Sequence, residues 1–198
     1  ISAKENTALA QQLMVEASAR YAINAGSLTI HQDRGAPMTA NRYIDLLSEM
    51  GIVLSHSRPR VSNDNAFSEA QFKTQKYQPD YPGQFDHCAH ACTWCESYFD
   101  WYNFDHHHVG LAGYTPEQVF TGRHHDVAAV KQRALDARYA QHPQRFVKGP
   151  PRVALPPARV EINPVTPEQI EAGADTVVNF PTLPRVAEAQ RKSKLSFN

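Results

Sequence analysis

Asp33 and Glu69 are the two residues whose types and spacing suggest chemistry, with 35 residues between them. Glu69, Lys73 and Lys76 follow one another at i, i+4 and i+7, which on a helix is one face. Two converging carboxylates suit a hard divalent cation. Mg²⁺ prefers oxygen ligands and commonly takes one or two protein carboxylates together with substrate phosphates. Two lysines beside such a pair would meet a phosphate backbone. The same spacing also describes a solvated Glu–Lys helix pair, and Asp before Arg-Gly also describes an ordinary turn.

The elements that must position these residues are legible as hydrophobic periodicity and turn chemistry. Residues 4–22 predict an amphipathic helix with Leu9, Leu13, Met14 and Ala17 inward. The run 27–31 predicts a strand that stops at the polar turn His31-Gln32-Asp33-Arg34-Gly35. Thr39 is the predicted cap of a helix over 40–50, with Tyr43, Leu46 and Leu47 inward and Gly51 closing it. A second strand is predicted over 51–57, a loop over 58–64 and a helix from Asn65 to Lys76. Helix, strand, helix, strand, helix implies α/β layering. Asp33 then sits just past the C-terminal end of a strand, where α/β sheets place their sites. The chain returns beside that strand before Glu69, so the two acids can approach each other.

Further on, 77–85 is a Pro/Gly loop, 86–101 a helix, and 102–114 a loop. Thr115-Pro116-Glu117 opens a helix, and 124–141 predicts another amphipathic one. From Gly149 the composition changes: eight of the fourteen prolines lie in 149–198. The expected division is therefore a core over 1–148 and a Pro-rich, extended or disordered tail over 149–198, with a strand candidate at 159–162.

The formal charge is zero over 198 residues, so any nucleic-acid surface must be local. No run of 18 apolar residues appears, so no membrane span is expected, and no secretory leader is visible. Three closely spaced cysteines are an odd number, which argues against a disulfide framework and fits a reducing, cytoplasmic setting.

"HQDRG" followed by "SRPRVSNDNAFSEAQFKTQK" resembles the catalytic core of bacterial insertion-sequence transposases, of the retroviral-integrase-like superfamily with a D-D-35-E triad. "WYNFDHHHVGLAGYTPEQV" is similar to that family's segment after the core. The likeness runs over roughly residues 5–150. It implies an RNase H-like α/β fold, Mg²⁺ or Mn²⁺ as cofactor, and DNA as partner, with homo-oligomers in the intact family. It implies Asp33 and Glu69 as second and third acids and metal ligands. It implies Lys73 and Lys76 as DNA contacts; Arg34, Arg60 and Asn65, near the proposed acids, are expected to contact DNA beside them, though a solvated loop also explains the arginines. The family's first Asp sits on an upstream strand meander, whereas the 32 residues before Asp33 read as one helix whose acids are Glu5 and Glu16. The expectation is thus an RNase H-like fold incomplete at its N-terminus, crippled on its own. The alternative is a non-catalytic DNA-binding or dimerising remnant.

Cys88, Cys92 and Cys95 also invite a metal reading, as C-x3-C-x2-C with His87 or His90 near. Spaced i, i+4, i+7, they also fit small core-facing side chains, and one continuous helix wraps four ligands round a zinc poorly. His106, His107 and His108 are three adjacent imidazoles that cannot all point at one ion. Lys131, Arg133, Arg138, Arg145, Lys148 and Arg152 form a second basic stretch, either a solvated face or a contact for flanking DNA.

Overall fold

The computed structural model describes residues 1–161, 166–173, 183, 186 and 188. The chain divides into two compact units: residues 2–83 with 161–198, and residue 1 with 84–160.

In the first unit, α1 (Thr7–Arg20) begins at Asn6, whose side-chain oxygen accepts from Leu9 N at 2.9 Å. The expected inward face of α1 is corrected at Leu9 and Leu13, while Met14 and Ala17 are half-buried. Leu9 and Leu13 are exposed, while Ala10 and Met14 pack on the core and Ser18 is buried. Small side chains let α1 lie close to its neighbour α3, and Gln11 donates to Arg42 O at 2.9 Å. β1 (Thr29–Gln32) is followed by the single turn α2 (Ala36–Thr39) and by α3 (Asn41–Glu49). Thr39 does not cap α3, as the sequence suggested. It ends α2 and its hydroxyl donates back to Gly35 O at 3.2 Å, while Ala40 takes the N-cap position with no side-chain bond.

After α3 the chain reverses at Gly51, which has φ +70°. A Cβ there would lie 2.6 Å from Ala25 Cβ and 3.0 Å from Ala25 Cα, so glycine is needed for both conformation and space. β2 (Val53–His56) then pairs parallel with β1, Thr29 opposite Val53 and Gln32 opposite His56. The core is Tyr43, Ile44 and Leu47 of α3 with Ile52, Leu54 and Val186, flanked by Met14, Leu28, Ile30, Met38 and Leu183. Ile44 is fully buried while the predicted Leu46 is only half-buried. Leu47 and Leu54 are 0% exposed, and each such burial stabilises by about 1.5–3 kcal/mol. A 3-10 turn at Ser62–Asn65 leads into α4 (Ala66–Lys76), no residue of which is buried.

The second unit contains α5 (Cys88–Phe104), α6 (Pro116–Phe120) and α7 (His124–Gln141). α5 runs to Phe104, past the predicted end at 101. Trp94, Tyr98 and Tyr102 ladder along it at i, i+4, i+8, with Trp94 stacked on Tyr98 at 5.2 Å. The expected loop that follows holds a 3-10 turn at Val109–Leu111 and a bridge between His108 and Tyr114. α6 opens as predicted, with a full capping box between Thr115 and Gln118. α7 has no fully buried residue, and its half-buried positions, Val127, Ala128, Gln132, Leu135 and Tyr139, fall along one face. Residues 159–161 are not a strand; Ile162, the end of that candidate, lies outside the described residues, as does most of the chain after 173. α8 (Pro167–Glu171), in the first unit, opens on a second capping box, between Thr166 and Gln169. Among the described residues no helix is long and apolar enough to cross a membrane.

Candidate functional site

β1 and β2 end side by side, and the ladder continues one step beyond them, Ser57 N donating to Gln32 O at 2.9 Å. Asp33 comes next. Its Oδ1 accepts from Gly35 N at 2.8 Å, the hydrogen bond of an Asx turn. A Cβ on residue 35 would lie 3.0 Å from Asp33 Oδ1 and 3.9 Å from Glu5 Oε1. Glycine therefore leaves room for the Asp33 carboxylate, and the fold brings Glu5 beside the same turn. No sequence periodicity marks Glu5, since it precedes α1 and reaches the turn through tertiary packing. Arg34 Nε donates to Ser57 O at 2.8 Å. Part of its guanidinium thus braces one strand end against the other.

Strand alternation sends His31 and Ser55 to one face and Gln32 and His56 to the other. On the first face His31 Nδ1 lies 2.9 Å from Ser55 Oγ, and His31 Nε2 lies 2.6 Å from Asp64 O. A ring nitrogen facing a carbonyl oxygen must carry its hydrogen, so Nε2 donates to Asp64. The Asp64 carboxylate is fully buried. It accepts from Arg58 N at 2.9 Å, from Arg58 Nε at 2.8 Å and from Arg58 Nη2 at 2.8 Å. The hydrogen bonds and then the charge of Asp64 hold the Arg58 guanidinium above its usual range. This knot folds the 58–64 loop against the strand ends and sets where α4 begins. Asp64 was legible only as part of a polar loop, and its burial is a tertiary effect.

Glu69 stands in the first turn of α4, Lys73 and Lys76 in its last, and all three are exposed. A carboxylate at the start and lysines at the end also complement the helix dipole. Lys73 Nζ lies 5.9 Å from the Tyr77 ring centroid. Arg60 is exposed with φ +62°, and Asn65 is half-buried without a side-chain cap bond. The structure thus ties the Asp33 turn to the start of the Glu69 helix through His31 and Asp64, and leaves both carboxylates facing solvent. Among the described residues no group of three or more His, Cys, Asp or Glu side chains is arranged to hold a metal ion.

On the opposite face a buried polar network lies beneath the Asp33 turn. Tyr43 Oη donates to Gln32 Oε1 at 3.0 Å, and the Gln32 amide nitrogen lies 3.2 Å from Met38 O and 2.9 Å from His56 Nε2. His56 is 0% exposed. Burial chiefly, with Arg34 and His31, pushes its pKa down against the opposing pull of Met38 O and Asp33. Burial likewise pushes the Tyr43 hydroxyl up.

The other candidates do not assemble. Cys88, Cys92 and Cys95 are free thiols on α5, and burial, with Cys92 beside it, pushes the Cys95 thiol up and away from the thiolate a metal would need. His106 lies on Tyr102 and Trp101, at 5.2 and 4.9 Å between ring centroids, and burial followed by its two neighbouring histidines pushes its pKa down. His107 Nδ1 instead lies 2.9 Å from Gly113 O.

Residues 50–116 match the family model of the integrase core domain, which acts in DNA integration and has an RNase H-like fold. The match begins just before β2 and ends at the opening of α6. It covers Arg60, Asn65, Glu69, Lys73 and Lys76, and leaves Asp33 and Arg34 outside. It is narrower than the roughly 5–150 of the resemblance. The mixed helix and small parallel sheet seen here are compatible with part of that fold. No curated protein matches the chain.

Proposed function

We propose that this chain carries part of a DNA strand-transfer centre of the insertion-sequence transposase type. Asp33 and Glu69 are its metal-binding acids. The observation that carries this reading is the His31–Asp64 hydrogen bond, which joins the strand that ends just before Asp33 to the turn that leads into the helix bearing Glu69. Two exposed carboxylates at a strand end and a helix start are a hard-oxygen donor set that fits Mg²⁺ or Mn²⁺. Such an ion, when bound, supplies charge stabilisation for phosphoryl transfer between water or a 3′-OH and a phosphodiester. The chain's own residues then have separate tasks. Asp33 and Glu69 hold the ion. Asp64 and Arg58 fix the start of α4, with Asn63 and Asn65 in the same turn. Arg34, Arg60, Lys73 and Lys76 grip backbone phosphate, and Asn65 contacts DNA. The 149–198 segment is proposed to supply no residue to this centre, while its Leu183 and Val186 pack on the core of the first unit, and the setting is proposed as the bacterial cytoplasm, at the nucleoid.

Two carboxylates leave an ion's shell largely to water and substrate, so this chain by itself should cleave DNA weakly or not at all. Mg²⁺ or Mn²⁺ titration with a labelled duplex tests the reading, with strand cleavage and binding followed together on the chain and on Glu69→Gln. Salt-sensitive binding, with any metal-dependent cleavage lost in Glu69→Gln, is the expected result. Cleavage that survives Glu69→Gln would remove Glu69 from the site. A second reading, a non-catalytic DNA-binding remnant, is favoured by the lack of a three-ligand group among the described residues. It predicts binding without cleavage under any metal.

A further inference from the structure

α7 carries Lys131, Leu135 and Arg138 at i, i+4 and i+7, one face of the helix. The segment 151–154 runs beside it, clamped by Gln132. Gln132 Nε2 donates to Pro151 O at 3.0 Å and its Oε1 accepts from Val153 N at 2.9 Å. Between them opens a groove of about 600 Å³ lined by Tyr114, Leu135, Val153 and three cations, Lys131, Arg138 and Arg152. Lys131 Nζ lies 4.2 Å from the Tyr114 ring centroid. Tyr114 is 0% exposed, and its hydroxyl has no hydrogen-bond partner among the described residues. None of the three cations makes an ion pair among those residues. Asp136, the acid nearest in sequence on α7, accepts from Gln132 instead, at 2.7 Å.

A clamped groove with three cations that make no ion pair among the described residues is suited to an anion. Lys131 and Arg138 are about 10 Å apart along the helix axis, and Arg152 stands on the facing segment, a spread of cations that can meet successive charges of a polyanion. We propose that this groove is a second DNA site, holding the sugar–phosphate backbone without reading bases. It rests on the DNA reading above and uses none of the residues assigned to the metal centre.

The test is fluorescence anisotropy with a labelled duplex of arbitrary sequence, on the full chain, between 50 and 200 mM salt. The groove variant is Lys131→Gln, Arg138→Gln, Arg152→Gln. The control removes equal charge outside the groove: Arg133→Gln, Arg145→Gln, Lys148→Gln. Each phosphate contact adds about 0.9 to the slope of log affinity against log salt. The groove variant should therefore lose roughly 2.7 in slope and about five-hundredfold in affinity at 0.1 M salt, and the control less than a third of that slope change. Because Lys131 packs on Tyr114, Arg138→Glu alone serves where the triple variant does not fold, with roughly a tenfold loss expected. Equal losses in groove variant and control, or an unchanged affinity in Arg138→Glu, overturn the groove while leaving the chain a DNA binder. A wild-type chain that fails to bind duplex even at 50 mM salt overturns the DNA reading and the groove with it.

Discussion

His56 makes the first unit sensitive to acid in a way that can be isolated. Its side chain is fully buried between Gln32 and Met38, and burial pushes its pKa below the ordinary 6.5. The neutral ring is thus the folded form. Above pH 6.5 neither the folded nor the unfolded state binds a proton here, and His56 adds no pH dependence. Below 6.5 the unfolded chain takes up a proton that the folded chain refuses, so stability falls as pH drops toward the depressed folded value. If the buried ring stays neutral throughout, the loss at pH 5.5 relative to pH 7.5 is at most about 1.4 kcal/mol. The assay is urea denaturation at pH 7.5, 6.5 and 5.5 on the wild type and on His56→Gln, comparing midpoints at matched slopes. The other histidines are common to both proteins, so their contributions cancel in the difference. The gap between the proteins should shift by up to about 1.4 kcal/mol in favour of His56→Gln as pH falls. A gap that is the same at pH 7.5 and 5.5 would refute the reasoning, since it would mean that the folded ring protonates as readily as the unfolded one.

Gly51→Ala should cost about 2 kcal/mol or more, from left-handed backbone strain and the overlap with Ala25, read as a lower urea midpoint. Asp64→Ala should speed amide hydrogen exchange roughly tenfold in the first turn of α4 and in residues 58–61, with α3 unaffected. Equal acceleration in α3 would show that Asp64 supports the whole unit rather than the start of α4. Tyr114→Phe deletes a buried hydroxyl that has no partner among the described residues, and should raise the stability of DNA-free protein by about 1 kcal/mol. A lower melting temperature would show that the hydroxyl has a partner after all.

The elements were legible where local chemistry alone decides them. Thr115-Pro116 with Gln118 specifies a helix start, and the short β-branched run before Asp33 specifies a strand. The turn at Asp33 was legible because Asp and Gly two residues apart make their own hydrogen bond. What failed depends on partners distant in sequence. α1 could have buried Leu9 and Leu13. It turns Ala10 inward beside the expected Met14, with Gln11 bonded to Arg42 O on α3. Val186 completes a core whose other buried members lie between 43 and 54, a contact that no window of periodicity reports. At the site, the spacing of Asp33 and Glu69 was visible. The parts that set their elements were not: buried Asp64, the His31 ring that bonds to its carbonyl, and the Gln32–His56 pair.

α4 is an eleven-residue helix that buries none of its side chains and packs chiefly with the turn at its start. Helices shorter than about 12–15 residues are marginal alone, and this one is secured near residue 64. It therefore acts as a lever with its pivot at its first residue, Ala66, just after the Asp64 anchor. Glu69 sits about 5 Å along the arm and Lys76 about 15 Å. A tilt of roughly 10° moves the carboxylate by under about 1 Å but carries Lys76 through more than about 2 Å. A single rocking motion can thus let the lysines follow the contour of an irregular polyanion while the acid keeps its place.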